Sequence, residues 1–159
     1  MRYLILLLII LCIITGCNSK TESKRLQAND CLRWDDPDWT DPFDLLVKSQ
    51  CFRLGPVGYT GEIAPEEIAL RRIMKRDAAP FVLEKLYAKG YTAGKLYALV
   101  GLHVVNKPKF RELAFELKKT PSLVDSQAGC IMGIQLEVGS VIDDIEAGNY
   151  DAELMRDIK

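Results

Sequence analysis

The feature that most constrains the fold is a series of apolar patterns between residues 62 and 119. Apolar residues recur there every three or four positions, which is the period of a helix with one buried face. Pro65, followed by Glu66 and Glu67, is a good helix start, because proline is preorganised for the first turn and acids favour the positive helix end. Four helices are predicted: one to about Arg76, one ended by Gly90, one from Thr92, and one stopped by Thr120-Pro121.

A fifth helix is predicted near the end of the chain, and a short one over residues 42–50. The fifth is marked by Ile134, Val138, Val141, Ile142 and Ile145 and is ended by Gly148. Short links make neighbouring helices antiparallel. The predicted fold class is therefore mainly α, a compact array of about five helices in antiparallel hairpins. The texture of TAGKLYALVGL is similar to HEAT-like repeats, and the mature part resembles uncharacterised small helical bacterial lipoproteins.

The start of the chain has the pattern of an export signal. Arg2 is followed by an apolar run from Leu4 to Ile14, which is too short to span a membrane and fits a secretory signal peptide. Ile14-Thr15-Gly16-Cys17 then resembles the lipobox of bacterial lipoproteins. That resemblance implies that Cys17 becomes the first residue and carries acyl chains such as palmitate, which anchor the protein to a membrane. The expected location is the periplasmic face of the outer membrane in a Gram-negative cell, or otherwise the outer face of the plasma membrane.

These patterns divide the chain into five parts. The acidic and Gly-rich part before residue 62 is expected to be irregular and to pack on the helical domain. The predicted parts are a signal peptide (1–16), a lipidated flexible tether (17–29), the irregular segment (30–61), the helical domain (62–150) and a C-terminal tail (151–159).

Charge and motif content exclude several functions. Lys and Arg number 21 against 22 Asp and Glu, which argues against a nucleic-acid binder that works through a basic surface. A single histidine, His103, cannot build a multi-histidine metal site. Gly55, Gly58 and Gly61 recur every third residue, which matches neither nucleotide-binding glycine pattern, so a tight loop that packs on the domain is predicted. We therefore expect no metal and no small-molecule cofactor.

Two groups of aromatic residues are candidates for contact with a partner. Residues 30–44 carry six Asp against one Arg, and they include Trp34 and Trp39. A calcium loop is disfavoured, since the glycine and glutamate of the EF-hand spacing are absent. This segment therefore either covers the protein's own core, which we favour, or docks on a partner. The second group, around the turn between the second and third helices of the array, is Tyr87, Tyr91 and Tyr97, which suits a contact patch or a core rim.

Three cysteines remain if the signal peptide is removed and Cys17 is lipidated. They are Cys31, Cys51 and Cys130, so at most one internal disulfide forms. A Cys51–Cys130 bridge is favoured because both residues flank Gly-rich loops, and Cys31–Cys51 is the alternative. A nucleophilic pair of Cys130 and His103 is the best enzyme hypothesis. His103 lies on an apolar stripe, however, and a hydrogen-bonded core position is the simpler expectation.

The remaining charges point to no reaction. Basic side chains on the first and fourth helices of the array are expected to be ordinary surface charge (Arg71, Arg72, Lys75, Arg76, Arg111, Lys118 and Lys119). Without a catalytic constellation, the sequence favours a lipoprotein that is not an enzyme. We expect it to contact an envelope protein as an assembly or accessory factor. The alternatives are an inhibitor or immunity lipoprotein that blocks a toxin, phage or hydrolase, and a thiol enzyme that uses Cys130.

Overall fold

The structure is a computed structural model that describes residues 41–155. Helices make up 59% of it, so the mainly α prediction is confirmed, and a small sheet is added. The helices are α1 (Pro42–Lys48), α2 (Pro65–Met74), α3 (Ala79–Lys89), α4 (Thr92–Val105), α5 (Lys107–Lys118), α6 (Val138–Glu146) and α7 (Asp151–Met155). The predicted short helix and the four successive helices correspond to α1 and to α2 through α5.

Helix α4 is the centre of the core. It is apolar on nearly all sides, as expected for a helix surrounded by other elements, and Leu96, Leu99 and Leu102 have no exposed surface. Helices α1, α2, α3, α5 and α6 and the sheet all contact it. Two glycines let neighbours approach closely: Gly94 lies against the Leu46 carbonyl of α1, and Gly101 lies against the Leu83 side chain of α3.

The sheet has three strands, β1 (Cys51–Phe52), β4 (Leu123–Ala128) and β5 (Ile131–Glu137), in the order β1-β4-β5. Strand β1 runs parallel to β4, and β5 runs antiparallel to it. The prediction that the fifth helix includes Ile134 is wrong, because Ile134 pairs with Ser126 in the sheet and the helix begins at Val138. Apolar residues at 134, 136 and 138 fit the period of a strand as well as the edge of a helical stripe.

The Gly-rich segment forms a separate two-stranded ribbon of β2 (Pro56–Val57) and β3 (Glu62–Ile63). The turn between the two strands, residues 58–61, meets the two-residue turn Gly129–Cys130 between β4 and β5. Val57 bridges to Gly129, and the Gly58 N–H donates to the Gly129 carbonyl at 2.8 Å. The predicted tight loop that packs on the domain is thus confirmed. We call the joined pair of turns the loop end.

Segment 30–61 is less irregular than predicted in the part that the structure describes. Asp41 caps α1 by accepting a hydrogen bond from the Phe43 N–H at 2.9 Å, and Leu46 of α1 is fully buried. Phe52 of β1 is also buried and stacks near Tyr97, with 5.1 Å between ring centroids. The stretch from Pro42 to Phe52 therefore contributes side chains to the core rather than forming a cover laid over it.

Candidate functional site

A cleft of about 580 Å³ with polar and apolar walls lies between the start of α4 and the sheet. We call it the sheet cleft. Such a volume lies in the range of pockets that hold small molecules or short peptide segments. Its lining residues are Gln50, Gly90, Tyr91, Thr92, Ala93, Lys95, Leu123, Val124, Asp125 and Gln135.

Strand alternation places the polar floor of the sheet cleft. Asp125 and Gln135 are paired across β4 and β5, and the Gln135 amide donates to the Asp125 carboxylate at 3.2 Å. Leu123 lies two residues before Asp125, so it shares the same face, and it is 55% exposed. Val124 and Ser126 alternate with these residues and are buried. The sheet therefore presents one acidic, amide-bearing and partly apolar face to the cleft.

The opposite wall is the start of α4. The Tyr91 N–H donates to the Val47 carbonyl of α1 at 3.2 Å, which fixes the backbone there, while the Tyr91 ring is 61% exposed. No side chain caps this helix start and its first turn has no acidic residue. Lys95 lies one turn along, among the lining residues. The wall therefore offers an aromatic ring and a cation opposite the acidic floor, a combination suited to binding a polypeptide segment.

The sequence analysis identified only Tyr91 among these residues. Lys95, Leu123, Asp125 and Gln135 were missed because the sheet was not predicted as a unit. One local signal was present: a two-residue turn with glycine first, as at Gly129–Cys130, is typical of hairpins. The other tyrosines do not join the cleft. Tyr97 is fully buried and Tyr87 is half-buried, with its hydroxyl donating to the Leu113 carbonyl at 3.0 Å.

Tyr97 is therefore wrong as a partner contact. Its hydroxyl accepts the Arg53 N–H at 2.7 Å, and its single proton is shared between the Cys51 and Arg53 carbonyls at 3.2 and 3.1 Å. A hydroxyl that joins β1 to the centre of α4 is structural. The Tyr97 ring fills the core while its polar tip satisfies main-chain groups at the end of a two-residue strand.

Four charged side chains are buried beside Tyr97, and we call them the ion-pair cluster: Arg53, Glu66, Glu67 and Arg71. Arg53 pairs with Glu66, and Arg71 pairs with Glu67 at 2.5 Å. The Gly55 N–H also donates to Glu67, at 2.7 Å. The expectation that Arg71 is surface charge is wrong, because the segment from Arg53 to Gly55 folds over this face of α2.

Alkaline pH is expected to reveal the burial of Tyr97. Burial raises the pKa of Tyr97 well above 10.0; Glu66 raises it further, and Arg53 opposes this through its backbone hydrogen bond and its charge. As pH rises, Tyr97 therefore ionises in the unfolded chain before it ionises in the folded protein. The contribution of Tyr97 to the free energy of unfolding is complete below pH 10 and is lost as pH rises above it. Urea unfolding from pH 8 to 11 should show a shallower loss for Tyr97→Phe than for the parent. At pH 8 that variant should be about 1–3 kcal/mol less stable. Equal slopes would contradict the assignment.

His103 and Cys130 lie in different environments. His103 is buried, with Nδ1 2.9 Å from the Asp151 carboxylate and its ring 5.0 Å from that of Phe110. The hydrogen-bonded core position expected for it is confirmed. Cys130 is an exposed free thiol at the loop end. No hydrogen bond joins the two within residues 41–155, so the structure does not bring the proposed nucleophilic pair together.

The favoured disulfide is wrong, because Cys130 is free and its predicted partner is not. Cys51 is buried and disulfide-bonded, and Cys130 is the only other cysteine between residues 41 and 155. The other cysteines of the chain lie outside the described residues. Cys31, the alternative partner, lies there, as do Cys17 of the lipobox and the aromatic candidates Trp34 and Trp39.

Two further kinds of feature are absent from the described part of the chain. No group of three or more His, Cys, Asp or Glu side chains in it is placed to hold a metal ion. None of its helices is both long enough and apolar enough to cross a bilayer. Comparison with known proteins was also negative: no family model, curated protein or solved structure matches this chain.

Proposed function

We propose that this protein is a membrane-anchored lipoprotein of the cell envelope that acts by protein–protein contact, as an assembly or accessory factor. The observation that supports the contact is the sheet cleft, with Tyr91 and Lys95 on one wall and Leu123 and Asp125 on its floor. The support for the anchor is the resemblance of residues 14–17 to a lipobox.

The chemistry of the sheet cleft favours a segment of a partner protein. A protein segment carries apolar, cationic and anionic groups along one chain, and the cleft offers a counterpart to each. The Tyr91 ring and Leu123 can cover an apolar side chain, Asp125 can pair with a cation, and Lys95 can pair with an anion. Exposed aromatic residues of this kind are enriched among those that carry binding energy.

The helices give the cleft wall a rigid support, and their arrangement is part of the proposal. The connections between α2, α3, α4 and α5 are residues 75–78, 90–91 and 106. We infer antiparallel stacking of these helices, similar to HEAT-like repeats. The packing of α1 and α3 against Gly94 and Gly101 then holds α4, and with it Tyr91, in one position. A preformed wall loses little conformational entropy when a partner binds.

The proposed location follows from the anchor. In a Gram-negative cell the protein would lie on the periplasmic face of the outer membrane, and otherwise on the outer face of the plasma membrane. A Cys17→Ala variant tests this part separately, because it should leave the fold intact while releasing the protein from the membrane fraction.

Removal of the apolar groups of the sheet cleft should abolish partner recovery. We expect crosslinking and purification of the full-length lipidated protein from native membranes to recover one envelope protein. Tyr91→Ala combined with Leu123→Ala should reduce that recovery at least about tenfold, since truncation of an interface aromatic alone costs 1–2 kcal/mol or more. The matched control is Phe81→Ala on α3, because Phe81 is as exposed as Tyr91 but lies outside the cleft.

Three outcomes decide the proposal. Specific loss with the cleft variant supports it. Equal loss with the Phe81 control, or no partner from folded and lipidated protein, contradicts it. If the recovered protein is a toxin, a phage protein or a hydrolase, the cleft is an inhibitory surface and the immunity alternative replaces the accessory role.

A further inference from the structure

Three large apolar side chains are exposed at or next to the loop end. Tyr59 follows the residue that bonds to Gly129, and it is 98% exposed. Ile131 and Met132 follow the second turn and are 65% and 50% exposed. Three exposed apolar side chains around one pair of turns are typical of a surface that contacts a membrane or another molecule.

Charge is absent from the two segments that form the loop end. Residues 54–61 and 126–136 contain no Asp, Glu, Lys, Arg or His. Charged residues make up 27% of the chain, so about five would be expected in nineteen residues at the average frequency of the chain. An uncharged segment loses no ion hydration when it leaves water, whereas a single Lys or Asp would oppose that transfer.

The glycines of the loop end have open space around them, and its turns are held by hydrogen bonds. A Cβ atom at Gly58, Gly129 or Gly133 would meet no atom within 4 Å, so open space surrounds these positions. The bond from Gly58 to Gly129 and the bond from the Gly61 N–H to the Gly58 carbonyl, at 3.4 Å, satisfy main-chain groups internally. Internal satisfaction of the backbone is what an apolar environment requires.

We propose that the loop end inserts into the lipid surface to which the protein is anchored. An uncharged end with exposed apolar side chains fits a deformable lipid interface without a matching cavity, and tyrosine with its polar tip is typical of the interface between lipid and water. The inference rests on the proposed acyl anchor at Cys17. Asp41 lies 24 residues after Cys17, so the chain between them spans at most about 80 Å.

The anchor makes weak insertion sufficient. Three partly exposed side chains would not hold a soluble protein on a membrane, but a tethered domain meets the surface at a high effective concentration. Insertion at the loop end would then fix the orientation of the domain. It would also set the direction in which the sheet cleft faces.

Cys130 provides the measurement, because its free thiol lies within the loop end. The full-length lipidated protein is placed in phosphatidylethanolamine–phosphatidylglycerol vesicles. The rate at which a charged, membrane-impermeant maleimide alkylates Cys130 is then measured. The reference is the alkylation rate of Cys130 in the Cys17→Ala protein, free in solution without detergent. We expect the rate on vesicles to fall about tenfold. The matched control is Cys130→Ser combined with Glu116→Cys, which moves the thiol to exposed α5, where the rate should stay unchanged.

A second variant separates insertion from simple crowding by the membrane. Ile131→Asp combined with Met132→Asp should restore fast alkylation of Cys130 on vesicles, since both positions are exposed and tolerate charge in water. Fast alkylation in the parent protein on vesicles would overturn the inference, as would equal protection of the α5 thiol. Protection that requires an added envelope protein would assign the loop end to a protein partner and also overturn it. Vesicle binding tests the anchor separately from the loop end. If only the Cys17→Ala protein fails to bind the vesicles, the anchor is confirmed, whatever the alkylation rate of Cys130.

Discussion

Glu67→Ala is expected to destabilise the fold by about 3–5 kcal/mol, the loss seen when one partner of a buried ion pair is removed. Glu67 is fully buried, and it accepts hydrogen bonds from Arg71 at 2.5 Å and from the Gly55 N–H at 2.7 Å. Without this carboxylate the Arg71 guanidinium stays buried but loses its ion pair with residue 67 of α2. The Gly55 N–H loses its acceptor as well, so the start of the Gly-rich loop is also expected to loosen.

Urea unfolding of the parent and the variant measures this loss. The matched control is Glu116→Ala on α5, which removes an exposed pair with Lys119 and should change stability by less than about 1 kcal/mol. Glu67→Gln is a useful intermediate, since the amide can still accept from Gly55 while the charge is gone. We expect its loss to lie between those of the two alanine variants. A Glu67→Ala loss as small as that of the control would show that the ion-pair cluster does not hold the Gly-rich segment on α2.

The helices could be predicted because their signals are local. Pro65 and the acids that follow it, Gly90, and the sequence Thr120-Pro121 mark helix boundaries within a few residues, and the apolar period identifies the buried faces. The core position of His103 followed from the same reasoning, because its helical stripe is apolar. These features depend on contacts within one helix and its neighbours, which a sequence pattern records directly.

The ion-pair cluster could not be predicted in the same way. Glu67 and Arg71 are spaced as an ordinary surface pair on a helix, and acids at a helix start are normally solvated. Their burial is caused by Arg53 and Gly55, which are 12 or more residues away and fold over α2. The pattern of α2 alone does not contain that information.

The sheet cleft was missed for a related reason. Its walls come from Gln50, the start of α4, and two strands beyond residue 120, so it exists only when β1 pairs with β4. Strand β1 has two residues, too few to show a period. The wrong disulfide has the same origin: proximity to Gly-rich loops describes Cys51 and Cys130 in the sequence, but it does not place their sulfur atoms together.

The contact between α1 and α4 should also be sensitive to one methyl group. Gly94→Ala would place a Cβ atom 2.5 Å from the Leu46 carbonyl oxygen, far closer than such atoms approach in folded proteins. The obstacle is the main chain of Leu46, a residue with no exposed surface, so it cannot rotate away as a side chain would. Either α1 or the first turn of α4 must move. We expect a loss of about 3 kcal/mol, the upper end of the usual cost of overpacking.

Gly139→Ala on α6 is the matched control, because a Cβ atom there meets nothing within 4 Å. Its stability should be unchanged or higher by up to about 1 kcal/mol, since alanine is the better helix former. The two variants differ in function as well. Tyr91 donates its N–H to Val47 of α1, so displacement of α1 by Gly94→Ala also moves the wall of the sheet cleft. Gly94→Ala should therefore reduce partner recovery even at a temperature where it is folded, and Gly139→Ala should not. Equal unfolding midpoints for the two variants would contradict the close approach of α1 to α4, and normal partner recovery with a folded but destabilised Gly94→Ala would separate this contact from the cleft.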